Sequence, residues 1–132
     1  MIIRKKAVKI FLINPKREML MQLRDDIPSI PNPGFWGLIG GEVENGESSL
    51  EAIKREIKEE INCPIKNITL LKEVDFPDRN VHITYFKGDI STLSSEIELT
   101  EGQEVRYFPF KEIYDLKIPT HLRQFLSKNE IF

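Results

Sequence analysis

Hydrophobic residues recur along the chain with two periods, and each period predicts one kind of element. Short segments rich in Val, Ile, Phe and Tyr predict strands, and the turn at Asn14-Pro15 makes the first two segments a hairpin. Prolines and glycines crowd residues 25–34 and predict a loop, while Gly40-Gly41 is expected to end the short apolar run 35–39. The predicted strands cover residues 4–14, 18–24, 67–74, 81–86 and 102–109.

The clearest single element is a helix from Ser48 to Asn62. Ser48 followed by Glu51 three residues later forms the pattern of a capping box, which favours a helix start. Asn62 tolerates the left-handed conformation that ends helices, and Pro64 prevents continuation. The spacing of four apolar residues predicts one buried stripe on this helix: Leu50, Ile53, Ile57 and Ile61.

The remaining pattern completes a fold of mixed type. A short helix is predicted at residues 111–116 and a C-terminal helix at 119–127, with Pro119 near its first turn. No internal repeat and no low-complexity linker interrupts the chain, so we expect a single domain over residues 1–132. Strands before and after one long helix predict an α+β sandwich, in which helices flank a mixed β-sheet.

Composition narrows the class of protein. Hydrophobic residues make up 40% of the chain and charged residues 30%, which is typical of a soluble globular protein. No segment reaches the roughly 20 apolar residues that span a membrane, and no signal-peptide core is evident, so we expect a cytoplasmic protein without a membrane partner. Cys63 is the single cysteine, which excludes an intrachain disulfide.

The charge distribution says more than the net charge of −2, which itself argues against a nucleic-acid polymer as the partner. Residues 41–60 hold seven acids and three bases, a local charge of −4. Within them, Glu56, Glu59 and Glu60 stand at positions i, i+3 and i+4, so a helix brings them to one side. An acidic focus in a mildly basic chain suits a divalent cation together with an anionic ligand.

Two interpretations of these acids remain open at this point. Like charges at i and i+4 repel, and acids in a last helical turn oppose the helix dipole, so the arrangement is locally unfavourable unless a cation compensates. Mg²⁺ and Mn²⁺ prefer such oxygen ligands. The alternative is a solvated face of ion pairs, for instance Arg55 with Glu59 and Glu51 with Lys54 or Arg55.

The neighbours of the cluster carry a specific resemblance. Gly41 is followed after five residues by Glu47, and after seven more by Arg55-Glu56-Ile57-Lys58-Glu59-Glu60. This spacing closely resembles the box of the Nudix hydrolase superfamily, and the preceding Trp36-Gly37-Leu38-Ile39-Gly40 resembles its usual lead-in. Seven fixed positions match, and the resemblance covers 23 of the 132 residues.

The chain departs from the box at three uncharged positions. Asn62 stands where a glycine is usual, and Cys63 stands where an aliphatic residue is usual. Both changes are mild, because asparagine also adopts left-handed backbone and a lone cysteine behaves as a small hydrophobe. Ile39 stands where many members carry proline, which weakens the closest analogies with MutT substrates.

The resemblance implies a role for each box residue. Glu56, Glu59 and Glu60 would hold magnesium, with manganese as the alternative, and the Gly40 carbonyl would add a ligand. Arg55 would orient the carboxylates and pair with Glu47. Gly41 belongs to a glycine-bearing loop at residues 40–46 that would let the backbone approach metal and phosphate closely.

Outside the box, a loop glutamate is the expected base or extra metal ligand in MutT-like members. Glu101 resembles that position, Glu104 is the alternative, and a solvated loop is the third reading. We expect Glu101→Gln to lose most turnover while the fold stays intact.

Candidate substrate contacts are harder to identify from the sequence. Arg24 precedes the proline-rich loop, where a loop ion pair is its alternative role, and Trp36 could stack on a base or belong to the core. Tyr85 and its neighbour Phe86 alternate faces, so one is expected in the core and the other in the substrate cleft. The two histidines, His82 and His121, show no partner pattern and are interpreted as structural.

Together these observations favour a MutT-like pyrophosphatase. The expected substrate is a small nucleotide-like diphosphate, a nucleoside diphosphate linked to another group, such as a (d)NTP, an oxidised nucleotide or a nucleotide sugar. The resemblance also admits a catalytically silent Nudix module that senses nucleotides or binds proteins, and an isomerase of isoprenoid diphosphates on the same fold. The intact box favours the hydrolase, as a monomer or homodimer.

Overall fold

The computed structural model describes residues 4–100, 102–129 and 131. Its strands form one seven-stranded mixed sheet: β1 (Lys5–Ile13), β2 (Glu18–Leu23), β3 (Trp36–Gly37), β4 (Ile39–Glu42), β5 (Ile65–Phe76), β6 (Val81–Ile90) and β7 (Glu104–Pro109). The α-helices are α1 (Ser49–Glu60), α2 (Phe110–Ile113) and α3 (Thr120–Lys128). The predicted α+β sandwich is confirmed.

Strand β1 lies at the centre of the sheet. It pairs in parallel with β6 from Lys5 opposite Val81 to Ile13 opposite Asp89, and β5 runs antiparallel along the far side of β6. On its other edge, β1 pairs antiparallel with β4 and, at its end, with its hairpin partner β2. Strands β3 and β7 then pair with β2.

The alternation of side chains along β1 divides the core into two layers. Val8, Ile10 and Leu12 are fully buried against α1, in a cluster that includes Ala52, Ile53 and Ile57. Phe11 and Ile13 point to the opposite face and pack in a cluster with Leu122, Phe125 and Leu126 of α3. The sheet therefore lies between α1 and α3, as the predicted sandwich requires.

The predicted box helix is confirmed with small changes at its ends. The Ser48 side chain accepts from the Glu51 backbone N–H, and the Glu51 carboxylate accepts from the Ser48 N–H, so the capping box is present. Asn62 has a φ of 46°, in the left-handed region that ends helices. One position of the predicted stripe is wrong: Leu50 is 43% exposed, and Ala52 takes the buried place.

The prediction that Gly40-Gly41 breaks regular structure is also wrong. Both glycines lie within β4, where they pair with Lys9 and Val8 of β1. A side chain cannot replace the hydrogen at Gly40, because an added Cβ would lie 2.0 Å from the Val8 carbonyl oxygen. The glycines thus permit close strand packing and do not mark a turn.

The other predicted elements are present with shifted bounds. Strand β5 extends beyond the predicted 67–74 and carries two register shifts, and β6 continues beyond residue 86. The predicted helices at 111–116 and 119–127 correspond to α2 and α3. Among the residues that the structure describes, no helix has the length and apolar character needed to cross a membrane.

Candidate active site

The last turns of α1 lie against β4, and this contact brings the box acids to the glycine pair. Gly41 sits directly beside Glu56, since a Cβ added at Gly41 would lie 2.5 Å from Glu56 Oε1. Contacts that close are not tolerated between real side chains, so only glycine leaves room for the carboxylate at this point. The absence of a side chain at Gly41 is what allows Glu56 to occupy the strand edge.

Glu60 is the most enclosed of the three candidate ligands. The residue is 5% exposed, and its Oε2 accepts a hydrogen bond of 3.1 Å from the Gly40 backbone N–H. A carboxylate removed from water needs such compensation, because burying a charge without partners is costly. The hydrogen bond joins the end of α1 to β4, so the helix acids and the glycine pair are held as one unit.

Arg55 organises the acids around it. Its Nε and Nη2 donate to the two carboxylate oxygens of Glu47 at 2.7 and 3.0 Å, a bidentate arrangement that fixes the guanidinium plane. Nη2 also donates to the Glu42 carbonyl at 3.0 Å. The remaining Nη1 donates to Glu56 at 2.9 Å and to Glu59 at 3.2 Å. One side chain therefore links the loop before α1 to two acids on it.

The contacts between Arg55 and Glu47 shift the pKa values of both residues. Hydrogen bonding from Arg55, with a further bond from the Glu44 N–H, lowers the pKa of Glu47 to about 2. The same pair raises the pKa of the Arg55 guanidinium further above its usual range. Glu47 is therefore ionised throughout the neutral range, and the bridge is intact wherever the protein would act.

The donor set suits a hard divalent cation in its chemistry. Glu56, Glu59 and Glu60 lie in the last turns of α1. Carboxylate oxygens are the ligands that magnesium and manganese prefer. No three His, Cys, Asp or Glu side chains of the described residues are already gathered as a metal site. Arg55 instead draws Glu56 and Glu59 toward itself, so a cation would have to compete with the guanidinium for those oxygens.

A cavity of about 550 Å³ opens beside the glycine pair. It lies on the α3 side of the sheet, between β1, β4, β6 and the start of α3, and its volume falls in the range typical of small-ligand sites. Gly40, Gly41 and Glu56 form one end. Leu38, Ile83 and Leu122 are among the apolar residues of the wall, so the cavity joins an acidic rim to an apolar interior.

Of the four residues proposed to bind substrate, Arg24, Gly41 and Tyr85 line this cavity, and Trp36 does not. Arg24 lies in its wall, and its Nε donates 2.9 Å to the Pro31 carbonyl in the proline-rich loop. Tyr85 also lies in the wall and is 1% exposed, whereas its neighbour Phe86 packs on the α1 side. Trp36 does not line the cavity, because its ring packs edge-on against Phe108 at 5.0 Å.

The loop before β7 is fastened to the end of α1. The Thr100 hydroxyl donates to the Glu59 carbonyl, and the Thr100 N–H donates to the Glu60 carbonyl at 3.3 Å. Glu101 lies outside the described residues. Glu104, its alternative, begins β7 and forms an ion pair of 3.0 Å with Arg106. The residue before Glu101 is thus held at the helix turn that carries the box acids.

Sequence reasoning missed the Lys, Arg and His side chains that line the cavity apart from Arg24: Lys9, Arg79 and His121. Lys9 looked like one polar position in a strand, Arg79 lies in a short turn after β5, and His121 was interpreted as structural. Lys9 lies 70 positions before Arg79, and Arg79 lies 42 positions before His121, so no local motif connects them. The pairing of β1 with β6 and the packing of α3 on this face of the sheet were the missing information.

Comparison with known proteins places this arrangement in a family. A family model for the NUDIX domain matches residues 3–128. The chain is 42% identical over 55 residues to 8-oxo-dGTP diphosphatase of Proteus vulgaris, covering 40% of this chain and 49% of the relative. It is 36% identical over 66 residues to dihydroneopterin triphosphate diphosphatase of Escherichia coli K12, covering 48% and 40%. The matched segments thus span less than half of these relatives.

Solved structures show the same fold. A MutT protein from Methanosarcina mazei superposes with a TM-score of 0.69 at 24% identity, covering 94% of this chain and 91% of that one. The NUDIX domain of Shewanella oneidensis NrtR, solved with ADP ribose, superposes with a TM-score of 0.78 at 16% identity, covering 97% and 87%. The family-model match over residues 3–128 shows that the protein belongs to the Nudix family.

Proposed function

We propose that the protein is a metal-dependent pyrophosphohydrolase that cleaves a diphosphate bond in a nucleoside diphosphate linked to a further group. The observation that carries the proposal is the contact of Glu56 with Gly41 and of Glu60 with Gly40 beside the cavity. Glu59 lies on the same turn of α1 and is bonded to Arg55. The family match and the diphosphatase names of the relatives support an enzyme of this class.

Glu56, Glu59 and Glu60 would hold the cation, with the Gly40 carbonyl as a further ligand, and Nudix hydrolases generally use divalent metals such as Mg²⁺. When bound, such a cation neutralises diphosphate charge and makes a coordinated water more acidic. Without it, an acidic rim would repel a polyanion. The buried position of Glu60 supports this role, since a carboxylate there is aimed and held before any ligand arrives.

The protein's own residues supply orientation and the remaining positive charge. Arg55 keeps Glu56 and Glu59 in place from the side of Glu47, and Arg24 faces the cavity where substrate phosphates would lie. In the reaction, a water oxygen forms a new bond to phosphorus while the bridging P–O bond breaks. The leaving phosphate takes the bonding electron pair, and the water proton passes to a base.

Glu101 is the proposed base. Thr100 is fixed to the carbonyls of Glu59 and Glu60, which supports a position for the next residue near the cation ligands. We expect Glu101→Gln to lower kcat by about 10²–10⁴-fold, the usual contribution of a general base, without changing the thermal midpoint of unfolding. Glu104→Gln is the matched comparison, and a larger loss there would transfer the role to Glu104.

The substrate class is proposed from the size of the cavity and the relatives. Their names include action on an oxidised deoxynucleoside triphosphate and on a pterin triphosphate. A cavity of about 550 Å³ accepts one nucleoside-sized group, which supports a small-molecule substrate over a nucleic-acid polymer.

The deciding experiment is release of phosphate and pyrophosphate with magnesium. The panel contains canonical and oxidised dNTPs, ADP-ribose, nucleotide sugars and dinucleoside polyphosphates. Glu59→Gln serves as the blank, and Glu112→Gln, an exposed acid on α2, serves as the matched control. Turnover that requires metal and disappears only in Glu59→Gln supports the proposal. Silence across the panel with magnesium still bound would favour a binding module.

A further inference from the structure

The cavity has a second polar end, away from the box acids. We propose that Tyr85, Arg79 and His121 form a recognition site for a hydrogen-bond-accepting oxygen on the group that the substrate carries beyond its diphosphate. The inference rests on the proposed function and names the chemistry that the site selects. A ring carbonyl of a nucleobase and an additional phosphoryl group share this chemistry.

The Tyr85 hydroxyl supplies the first observation. Its oxygen is buried and is the one side-chain polar atom, among the buried ones that the structure describes, without a hydrogen-bond partner. Leaving such a group unpaired costs stability, and native proteins rarely do so without a reason. Since Tyr85 also lines the cavity, a ligand entering the cavity is the partner that would satisfy it.

The position of Tyr85 is fixed by its surroundings. Its ring centroid lies 4.0 Å from that of Phe125 and 5.8 Å from that of Phe11, so the core clamps it from two elements. Burial raises the pKa of the phenol above its usual range. The hydroxyl therefore keeps its proton at any physiological pH and can donate it to a ligand from a rigid position.

The pairing of Arg79 with His121 supplies the second observation. Arg79 Nη1 lies 3.1 Å from His121 Nδ1. A guanidinium can only donate, so Nδ1 must be the acceptor and carry no proton. The proton of the neutral ring is then on Nε2. His121 therefore also presents a donor, and its tautomer is set by Arg79.

Charge around His121 keeps the ring neutral. Burial lowers the pKa of His121 to about 4, and the positive charges of Arg79 and Lys9 add to this effect. Those contributions also place both cations close to the ring. This part of the cavity therefore offers donors from Arg79, His121 and Tyr85, and Lys9, whose side chain also packs against Gly40, lies between it and the end that carries Glu56.

This composition discriminates between otherwise similar substrates. An oxygen with lone pairs can accept from Arg79, from the His121 Nε2–H and from the Tyr85 hydroxyl. An exocyclic amine would place its own hydrogens against the donors of Arg79 and His121 and could bond only to the Tyr85 hydroxyl oxygen. A site built for a hydrogen bond rejects an analogue that cannot make it much more strongly than an apolar pocket rejects a size change. The apolar wall between the two ends, with Leu38, Ile83 and Leu122, suits a flat ring.

Equilibrium binding of non-hydrolysable nucleotides tests this inference separately from catalysis. Titration calorimetry with magnesium would compare the α,β-methylene analogues of inosine and adenosine triphosphate, in which a ring carbonyl replaces an amine. A second pair, adenosine 3′,5′-bisphosphate and adenosine 5′-monophosphate, isolates an added phosphoryl group. We expect the oxygen-bearing member of at least one pair to bind roughly tenfold more tightly or better.

Two variants connect the preference to the proposed residues. Tyr85→Phe should reduce the preference for the carbonyl, and Arg79→Gln should reduce it for either oxygen, because Arg79 also sets the His121 tautomer. Tyr107→Phe is the matched control for the first, since it removes a hydroxyl that donates to the Thr92 carbonyl outside the cavity. Arg4→Gln, which breaks an exposed pair with Asp75, is the control for the second.

The outcomes separate this inference from the proposed function. Three results would overturn the inference about this site, even if the enzyme turns over nucleotides. They are equal affinities within both pairs, tighter binding of the amine-bearing analogue, and an oxygen preference that persists in both Tyr85→Phe and Arg79→Gln. If only the pair that differs by a phosphoryl group shows a preference, and Arg79→Gln abolishes it, the site is supported and its ligand is a phosphoryl group. Oxygen-selective binding without turnover would retain this site and reject the hydrolase.

Discussion

The two ends of the cavity are built in opposite ways. The acidic end comes from one stretch of chain, in which Glu56, Arg55 and Gly41 lie within 16 residues. The basic end gathers Arg79 and His121 from a turn after β5 and the start of α3, and Lys9 of β1 lies between this end and the glycine pair. The first is a local motif, and the second exists only after the sheet has formed.

The difference separates chemistry from selection. The acidic end is held mainly by hydrogen bonds between near neighbours, above all those of Arg55, so its geometry depends on few contacts from distant parts of the chain. The basic end depends on the parallel register of β1 and β6, and it contains the unsatisfied Tyr85 hydroxyl. A reaction can therefore be kept while the group that is recognised changes.

The largest expected effect comes from substituting the two adjacent glycines. In Gly40→Ala the new methyl would meet the Val8 carbonyl oxygen at 2.0 Å, and because backbone cannot yield, we expect about 3 kcal/mol of lost stability. In Gly41→Ala the methyl would meet the mobile end of Glu56 instead. We expect a normal fold there, and a fall in kcat of about 10²-fold from the displaced carboxylate.

Thermal denaturation and steady-state kinetics on both variants would check this contrast. A Gly41→Ala protein with unchanged kcat and an unchanged thermal midpoint would show that catalysis does not need Glu56 to lie against β4. That result would contradict the claim that the acidic end is preorganised.

A smaller effect is expected for Arg55→Lys. Lysine keeps the charge but cannot bond both oxygens of Glu47 while also reaching Glu56 and Glu59. We expect kcat to fall about tenfold, as is usual when residues that orient ligands are changed, with a lower thermal midpoint. Lys54→Arg on the same helix is the control. Unchanged kinetics in Arg55→Lys would mean that charge alone, without the planar fork, organises the acids.

The pH dependence of stability tests the Glu47 bridge. Its folded-state pKa of about 2 lies below the ordinary value of 4.5, so the unfolded chain binds the proton more readily. The bridge therefore contributes its full stability above about pH 4.5 and loses it as the pH falls toward 2. The gap in thermal midpoint between the native protein and Glu47→Gln should close over that window. A gap independent of pH would contradict the assignment.

The smallest expected effects are the pKa shifts of the two histidines, which NMR titration measures. The shift of His121 reports directly on the basic end of the cavity. His121 should titrate near pH 4, and Phe76 packs edge-on against its ring at 5.7 Å. His82 should titrate above its ordinary pKa, because Asp75 and Glu73 accept hydrogen bonds from it. His121→Asn and His82→Asn assign the two signals.

The same two pKa shifts give stability slopes of opposite sign. His121 has a depressed pKa, so the unfolded state binds its proton first and stability is lost as the pH falls from 6.5 to about 4. His82 has a raised pKa, so its contribution is complete below pH 6.5 and is lost as the pH rises through the folded-state value. A His121 signal near pH 6.5 would place that ring in water and remove it from the cavity end.

The sequence was informative where interactions are local. The capping box of Ser48 and Glu51 and the end of α1 at Asn62 follow from spacing within one segment. The pairing of Arg55 with Glu47 was implied by the resemblance of the same segment to the Nudix box. Gly40-Gly41 was misread as a break, because a glycine pair in a strand has the same letters as a turn. What distinguishes the two is the approach of Val8, which belongs to another strand.

Side-chain burial was the other limit. The period of α1 placed Leu50 in the buried stripe, yet it is 43% exposed, because the packed arc also depends on where the sheet ends. Trp36 and Tyr85 were both candidate substrate contacts in the sequence, and the structure separates them. Trp36 packs on Phe108, and Tyr85 lines the cavity.

The central position of β1 also bears on how this chain can diverge. Because alternate residues of that strand serve opposite layers, one inserted residue would turn Lys9 into the packed layer beneath α1, or Val8 and Ile10 toward the cavity face. Length changes are therefore excluded from the strand, whereas the loop at residues 25–34, which contributes Pro31 and Asn32 to the cavity wall, has no such register to keep. New specificities in descendants of this protein should arise by insertion in the loop and by substitution in the strand.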